Sequence, residues 1–217
     1  MHRILAHAIA FSAAILLVTT QGRAAEFYPL NSVETDTVNF FSKENLIEGS
    51  GVGYDAAEPH DQIGSKWLTD APGGFPADYI DVAGPPVIAL DLGQDRLLSE
   101  ISVWGYAASN ANGVSEFILG FSTEAEGPAT NSSSAGPFFP INDDVMRQSF
   151  SFPARTARYV EFTANDNFFI APGDGSGGET PGGDRVGLGE IAFETPEPAT
   201  LSLLALGSLV ALRRRRR

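Results

Sequence analysis

The apolar residues of this chain recur in short alternating runs, and no helical period persists over three turns. In residues 87–92, Ile88, Leu90 and Leu92 fall on one face of an extended strand, because successive side chains point to opposite faces. Gly, Pro, Asn and Asp separate such runs, which is typical of strands joined by turns. The pattern predicts an all-β body. Further strands are predicted at residues 36–41, 99–106, 114–122, 148–152, 158–164 and 188–194.

Each clear run has its own predicted inner face. Seven or so short strands with long turns between them suggest a β-sandwich. Hydrophobic residues make up 43% of the chain, which is enough to build a core. The predicted faces are Ile101 with Val103, opposite Ser102 and Trp104; Phe117 with Leu119 and Phe121; Val160 with Phe162; and Ile191 with Phe193.

The body of the chain is strongly acidic. Of 14 Lys and Arg residues, two precede residue 26 and five follow residue 212, which leaves seven against 27 Asp and Glu residues. A body that acidic repels phosphate backbones, so we expect no nucleic-acid partner.

The residue inventory also argues against enzyme chemistry. The chain has no Cys, and its three His include two in the extreme N-terminus, so His60 is alone in the body. Disulfides, thiolate nucleophiles and multi-histidine zinc sites are therefore excluded there, and a Ser-His-Asp triad would have to use His60. No nucleophile elbow or phosphate-binding loop is present. We expect a protein that is not an enzyme.

Residues 1–25 have the pattern of a secretory signal peptide. Arg3 precedes an apolar run over residues 8–18, and Gly22 and Ala24 are small residues suited to a cleavage site. An N-terminal membrane anchor is the alternative, for which the run is short. We expect a signal helix and export through the Sec machinery, with the folded body at residues 26–194.

The other end, residues 195–217, combines three features. Pro196, Glu197 and Pro198 come first, and an apolar stretch over residues 199–212 follows. That stretch is shorter than the roughly 20 residues of a comfortable transmembrane helix. A basic cluster then holds its C-terminal side in the cytoplasm. The cluster consists of Arg213, Arg214, Arg215, Arg216 and Arg217.

This tail resembles the PEP-CTERM sorting signal in the order and spacing of its three parts. The resemblance implies a Gram-negative exporter, recognition by an exosortase, transient insertion of the hydrophobic helix in the membrane, and delivery to the cell surface. It also implies an association with exopolysaccharide and biofilm or floc formation. An ordinary single-span tail anchor is the alternative.

The body resembles the discoidin, or coagulation factor 5/8 type C, family of galactose-binding-like domains. The resemblance implies an antiparallel jelly-roll β-sandwich whose loops at one end often bind glycans. Residues 50–64 depart from the family pattern as an insertion. The matching segments are residues 45–49 with 65–68, residues 87–93 ending in Leu-Asp-Leu-Gly, and residues 101–106, 157–162 and 187–193.

The same resemblance implies a structural Ca²⁺ site where the early loop meets the last strand. Its residues here would be Asn45, Glu48, Ser50 and Glu190. Calcium takes six to eight oxygen ligands, and a glycine-rich bend beside carboxylates suits it. Alternatively, Glu190 caps a strand end and Glu48 is solvated.

A glycan site needs an aromatic platform and a few hydrogen-bonding groups. Phe168 and Phe169 are the pair we expect nearest a ligand, although one of the two is expected to pack inward. For Trp67, the alternative interpretation is a buried position in the core. The candidate ligand-binding residues are Trp67, Phe75, Tyr79, Asn110, Asn112, Phe168 and Phe169.

Together these observations predict an exported surface or matrix protein that binds or organises exopolysaccharide without catalysis. A calcium-stabilised structural matrix protein with no specific sugar site is the first alternative. A carbohydrate-active enzyme is the second, and it would require two facing carboxylates across a deep cleft.

Overall fold

The computed structural model describes residues 27–47, 66–143, 146–171 and 180–195. Both predicted terminal helices lie outside these ranges. Nine strands, one 3₁₀ helix (Lys43–Leu46) and one short α-helix, α1 (Tyr79–Ala83), form the described part of the fold. The strands are β1 (Ser32–Thr35), β2 (Asn39–Phe41), β3 (Trp67–Thr69), β4 (Val87–Trp104), β5 (Val114–Ser122), β6 (Ser133–Phe138), β7 (Arg147–Asn167), β8 (Gly187–Leu188) and β9 (Glu190–Phe193).

The strands form two antiparallel sheets. The larger has the order β1-β4-β7-β5-β6, with β9 added beside the second half of β4. The smaller has the order β2-β3-β8. Every strand pair within the described ranges is antiparallel. The prediction of an antiparallel all-β fold is confirmed.

The long strand β7 bends over the core and contributes to both layers of the sandwich. The ring of Phe117 on β5 lies 4.4 Å from that of Phe162 and 5.4 Å from that of Phe150, centroid to centroid. A straight strand would hold those two β7 residues about 40 Å apart, at roughly 3.3 Å per residue. The strand must therefore turn back across β5, so that the aromatic side chains fill the space between the layers.

The predicted inner faces form this core. Ile88, Leu90 and Leu92 are buried, as are Phe117, Leu119, Phe121, Val160, Phe162, Ile191 and Phe193. The run at residues 99–106 differs from expectation in one respect, because Ser102 and Trp104 are buried together with Ile101 and Val103. The indole of Trp104 packs edge-on against Phe27, and the hydroxyl of Ser102 accepts a hydrogen bond from Arg147 at 2.7 Å.

The two longest strands correct the expectation of short, separate ones. Residues 87–92 and 99–106 were predicted as two strands, and residues 148–152 and 158–164 as another two. The structure joins each pair into one strand, β4 or β7. The two pair through the bend, with Arg96 opposite Ala157 and Leu98 opposite Arg155. The register shifts on either side of these pairs, between Asp91 and Arg96 and between Leu98 and Glu100, so the strands continue through the bend with irregularities instead of ending in turns.

The two ends of the described fold lie side by side. Phe27 forms an antiparallel bridge with Glu194, and Tyr28 donates its N–H to the carbonyl of Phe193 at 2.9 Å. The guanidinium of Arg147 binds the Glu194 carboxylate at 3.1 Å and lies 4.9 Å from the centre of the Phe27 ring. The sandwich therefore holds the chain in place up to the first residues of the sorting tail.

Candidate functional site

Several loops meet at one end of the sandwich, where β5 begins and β7 ends. Ala111 donates its N–H to Pro181 at 2.8 Å, and Phe168 donates to Ala111 at 3.1 Å. Tyr79, at the start of α1, donates to the carbonyl of Gly183 at 2.8 Å. We call this region the loop end; it comprises residues 70–84, 105–113, 167–171 and 180–186.

Asn167 holds this region together. Its buried side-chain Nδ2 donates to the carbonyl of Gly183 at 2.9 Å and lies 3.4 Å from the carbonyl of Arg185. Its Oδ1 accepts from the N–H of Phe169 at 2.8 Å. Sequence reasoning missed this residue as a site component. The available signal was the polar run at residues 165–167 directly before the Phe pair, since Asn side chains readily bond nearby backbone in turns.

The predicted residues Asn110 and Asn112 are brought together here. The Oδ1 of Asn110 accepts from the N–H of Asn112 at 2.8 Å, and the Oδ1 of Asn112 accepts from the N–H of Gly183 at 2.6 Å. Gly182 has a φ of +108°, and a Cβ there would lie 2.5 Å from the Asn110 Oδ1. Because both side-chain oxygens are engaged by backbone, the two amides are fixed in position. Asn110 is half-buried, whereas Asn112 is buried and braces the loops from within.

The aromatic candidates divide into exposed and buried groups. Phe75 is 52% exposed, and the half-buried rings of Phe168 and Phe169 lie against Gly113 and Gly183. Ile170, directly after the Phe pair, is also exposed. These exposed and half-buried apolar side chains, which we call the aromatic rim, offer a surface at the loop end for the apolar face of a ligand.

Trp67 and Tyr79 do not belong to that exposed rim. Trp67 is fully buried on β3, and its Nε1 donates to Asn39 at 2.6 Å. Tyr79 is buried on α1, and burial raises the pKa of its hydroxyl, with Asp70 raising it further. Both rings fill space under the loops, so they correct the expectation of a solvent-facing platform at these two positions.

The loop end is acidic. Asp78 caps α1 by accepting from the N–H of Ile80 at 2.9 Å. Burial raises the pKa of the Asp78 carboxyl, and the nearby carboxylates of Asp81 and Asp166 raise it as well. The opposing hydrogen bond from Ile80 lowers the pKa by less. This concentration of negative charge favours neutral or cationic ligands over anionic ones.

The predicted calcium residues are only partly within the described ranges. Asn45 donates its Nδ2 to the carbonyl of Lys66 at 3.0 Å, and Glu190 is buried on β9, opposite Trp104. The 3₁₀ helix that carries Asn45 packs against β9. Glu48 and Ser50 lie outside the described residues. In the ranges that the structure covers, no cluster of three or more His, Asp or Glu side chains is suited to a metal.

Lys66 is a buried cation in the same neighbourhood. Its side chain is inaccessible to solvent, and its Nζ donates to the carbonyl of Tyr106 at 2.5 Å. Tyr106 follows Trp104, the partner of Glu190, by two residues. Asn45 and Glu190 carry oxygen atoms of the kind that Ca²⁺ prefers as ligands. The ammonium group of Lys66 adds a positive charge in the same neighbourhood.

The sorting-signal residues Pro196, Glu197 and Pro198 and the terminal Arg cluster also lie outside the described residues. A family model of the PEP-CTERM protein-sorting motif matches residues 194–217. The chain therefore carries this motif, which indicates a protein exported and sorted to the cell surface. No helix in the described ranges has the length and apolar character needed to cross a membrane.

Solved structures with the same fold are carbohydrate-binding modules. The family 32 module of C. perfringens NanJ, in complex with galactose, has a TM-score of 0.51 at 12% identity, over 79% of this chain and 98% of the other. A mutant lectin-binding domain of lectinolysin, complexed with Lewis b, has a TM-score of 0.51 at 14% identity, over 79% and 96%.

A third structure joins this fold to an enzyme. Truncated AlyQ, with CBM32 and alginate lyase domains, has a TM-score of 0.50 at 17% identity, over 79% of this chain and 34% of the other. At such identities the likeness shows the fold alone. Among curated protein sequences, none matches this chain. The fold is thus a CBM32-like, or discoidin-like, jelly roll, as the resemblance implied, and residues 194–217 add a surface-sorting motif.

Proposed function

We propose that this protein is an exported, surface-sorted carbohydrate-binding domain that binds or organises exopolysaccharide outside the cell and catalyses no reaction. The observation that carries the proposal is the loop end. There, the exposed ring of Phe75 and the half-buried Phe168 and Phe169 share the loop end with the half-buried amide of Asn110, whose Oδ1 is fixed by the N–H of Asn112. Galactose and Lewis b are bound by proteins of this fold.

The proposed mechanism uses shallow contacts on a rigid surface. The apolar face of a sugar ring packs against the aromatic side chains, and its hydroxyl oxygens accept from the side-chain amide of Asn110. Asn167 keeps the loops in one arrangement, so little conformational entropy is lost when the sugar binds. The acidic surroundings disfavour polyuronic acids and other anionic chains.

Export and sorting complete the proposal. The signal peptide at residues 1–25 directs the chain to the Sec machinery of a Gram-negative bacterium. The helix at residues 199–212 then pauses in the inner membrane, with the Arg cluster on the cytoplasmic side. An exosortase cleaves near Pro196, and the body reaches the surface or matrix. Phe27 pairs with Glu194, and both residues precede the cleavage position. Removal of the tail therefore leaves this pairing of the two ends of the body intact.

We also propose a structural calcium ion between the 3₁₀ helix and β9. Asn45, Glu48, Ser50 and Glu190 would supply oxygen ligands, and the ion would stiffen the early loop. The donor chemistry supports the proposal, and the packing of the 3₁₀ helix against β9 brings two of the four residues to one region.

The binding test uses the full-length chain and exopolysaccharide purified from the source organism. We expect saturable binding that weakens by roughly tenfold in Phe75→Ala, the loss of one aromatic contact being worth about 1–3 kcal/mol. Leu97→Ala is the matched control, because Leu97 is 49% exposed at the bend of β4, outside the loop end.

Two other outcomes would decide against the proposal. Binding unaffected by Phe75→Ala and Phe168→Ala would place any sugar contact outside the loop end. No binding of the wild-type chain would leave the structural matrix role as the better account.

A further inference from the structure

A shallow groove of about 220 Å³ lies on the outer face of the large sheet. It is lined by side chains of β1, β4 and β7, and Pro128 and Ala129 form one wall. Tyr159 is its aromatic residue, and the guanidinium of Arg158 lies over one face of that ring, 5.0 Å from its centre. The inward neighbours Leu90 and Val160 are buried, so the alternating residues of these strands face outward into the groove. Pockets for drug-sized molecules span roughly 300–1,000 Å³, so this volume suits a single sugar ring.

Three carboxylates line the groove, and two of them are paired with cations. Glu34 forms an ion pair with Lys43, and Asp91 forms a bidentate one with Arg158 at 2.9 and 3.1 Å. Glu161 instead accepts a hydrogen bond from the side-chain amide of Asn131. Within the described ranges, no Lys or Arg nitrogen reaches ion-pair distance of Glu161. The groove therefore holds one uncompensated negative charge.

The position of Glu161 is fixed by its surroundings. Gly120 lies opposite it on β5, and a Cβ at Gly120 would lie 2.2 Å from the Oδ1 of Asn131. The missing side chain lets Asn131 lie across the sheet and reach Glu161. The backbone N–H of Asn131 donates to Ser122 at 2.8 Å, which anchors the wall beside Ala129. The hydrogen bond from Asn131 thus holds the Glu161 carboxylate in one position, so it can bind a ligand without a change in conformation.

We propose that this groove is a second saccharide site, specific for an amino sugar with a protonated amine. The ammonium group donates a charge-assisted hydrogen bond to Glu161, and the sugar ring packs against Tyr159. The ring hydroxyls donate to the remaining lone pairs of Glu34 and Asp91. Charge complementarity selects this ligand class, because one fixed carboxylate without a cation remains in an acidic body.

The groove and the loop end lie at opposite ends of the same strands. Val114 pairs with Asn167 at the loop end, whereas Ser122 pairs with Tyr159 at the groove. Eight residues of strand separate the two, or about 26 Å at roughly 3.3 Å per residue. One domain could then hold two polysaccharide segments and link them, which raises avidity without a second copy. The groove is lined by none of the loop-end residues. A failed test of one site therefore leaves the proposal for the other unchanged.

The test measures binding of a β-1,4-linked glucosamine tetramer by calorimetry, with the N-acetylated tetramer as the uncharged probe. The full-length chain carries Phe75→Ala, so that the loop end contributes little. We expect Glu161→Gln to weaken binding of the glucosamine tetramer by roughly tenfold or more, the loss of one charge-assisted hydrogen bond. Binding of the N-acetylated tetramer should not respond to that change.

Glu116→Gln is the matched control, since it removes the same charge from the same sheet near the loop end, where Glu116 binds Asn165 at 3.1 Å. An equal loss in both variants would reveal general attraction to an acidic surface and overturn the proposal. Failure of the glucosamine tetramer to bind the chain that retains Glu161 would also overturn the proposal. Thermal unfolding of each variant checks that the sheet is preserved.

Discussion

The side-chain amide of Asn167 donates to the backbone carbonyl of Gly183 at 2.9 Å and joins the end of β7 to the last loop before β8. The same residue accepts from Phe169, and the N–H of Gly183 donates to Asn112. These bonds connect three segments of the chain, around residues 112, 167–169 and 183. The shape of the loop end therefore depends on a few buried amide groups, as the segments themselves contain little regular structure.

Replacing Asn167 with Ala should destabilise the protein and loosen the loop end. The change leaves the N–H of Phe169 without its partner, while the carbonyl of Gly183 keeps only the hydrogen bond from the N–H of Tyr79. An unsatisfied buried polar group costs about 1–3 kcal/mol. Urea unfolding measures the loss. Asn165→Ala is the control, because the Asn165 amide bonds only the half-buried Glu116 carboxylate. Equal stability of the two variants would contradict the role given to Asn167.

The pH dependence of stability should change in Asp78→Asn. Burial raises the folded-state pKa of Asp78, so the folded protein binds more protons than the unfolded chain just above the ordinary Asp range. This residue therefore makes the free energy of unfolding fall as pH rises through that interval. Asn keeps the helix cap but does not titrate. Relative to wild type, the variant should gain stability as pH rises above the ordinary Asp range of about 4.

Denaturant unfolding at a series of pH values tests this expectation. Asp95→Asn serves as the comparison, because Asp95 is exposed and accepts from the N–H of Glu124 away from the loop end. A constant difference between wild type and Asp78→Asn across the range would show that burial does not penalise the Asp78 charge.

Calcium should raise the melting temperature of the full-length chain if the proposed site exists. A ligand that binds only the folded state stabilises it by about 2.7 kcal/mol at a hundred times its Kd. Differential scanning fluorimetry with calcium and with a chelator measures the shift, and Asn45→Ala should abolish it. An unchanged melting temperature would rule the ion out.

Alanine substitutions at Pro196, Glu197 and Pro198 should block processing. In a host with an exosortase, the wild-type chain should lose its tail and reach the surface, whereas the variant should keep its full mass in the membrane fraction. Ser202→Ala, inside the apolar stretch, leaves the motif intact and is the control. If the wild-type chain also retains its tail there, residues 195–217 act as a simple anchor.

Much of the architecture was predictable because strand faces are a local property. Alternation placed Ile88, Leu90 and Leu92 on one side of β4, and Phe117, Leu119 and Phe121 on one side of β5. The sorting motif was equally readable, since its three parts follow one another directly in the chain. The continuity of β4 and β7 was not, because it depends on hydrogen bonds that each makes to the other across the bend.

The sequence by itself determined the all-β class, the acidic body and the sorting tail, since each follows from composition or from neighbouring residues. Only the tertiary structure decided that Trp67 fills the core, that Asn110 lies against Gly182 and that Asn112 binds Gly183. It also decided that Glu161, unlike the other two carboxylates of the groove, has no ion pair with a Lys or Arg of the described residues. Such arrangements depend on which strands pair and in what register, and residues tens of positions apart acquire a relationship only once the chain has folded.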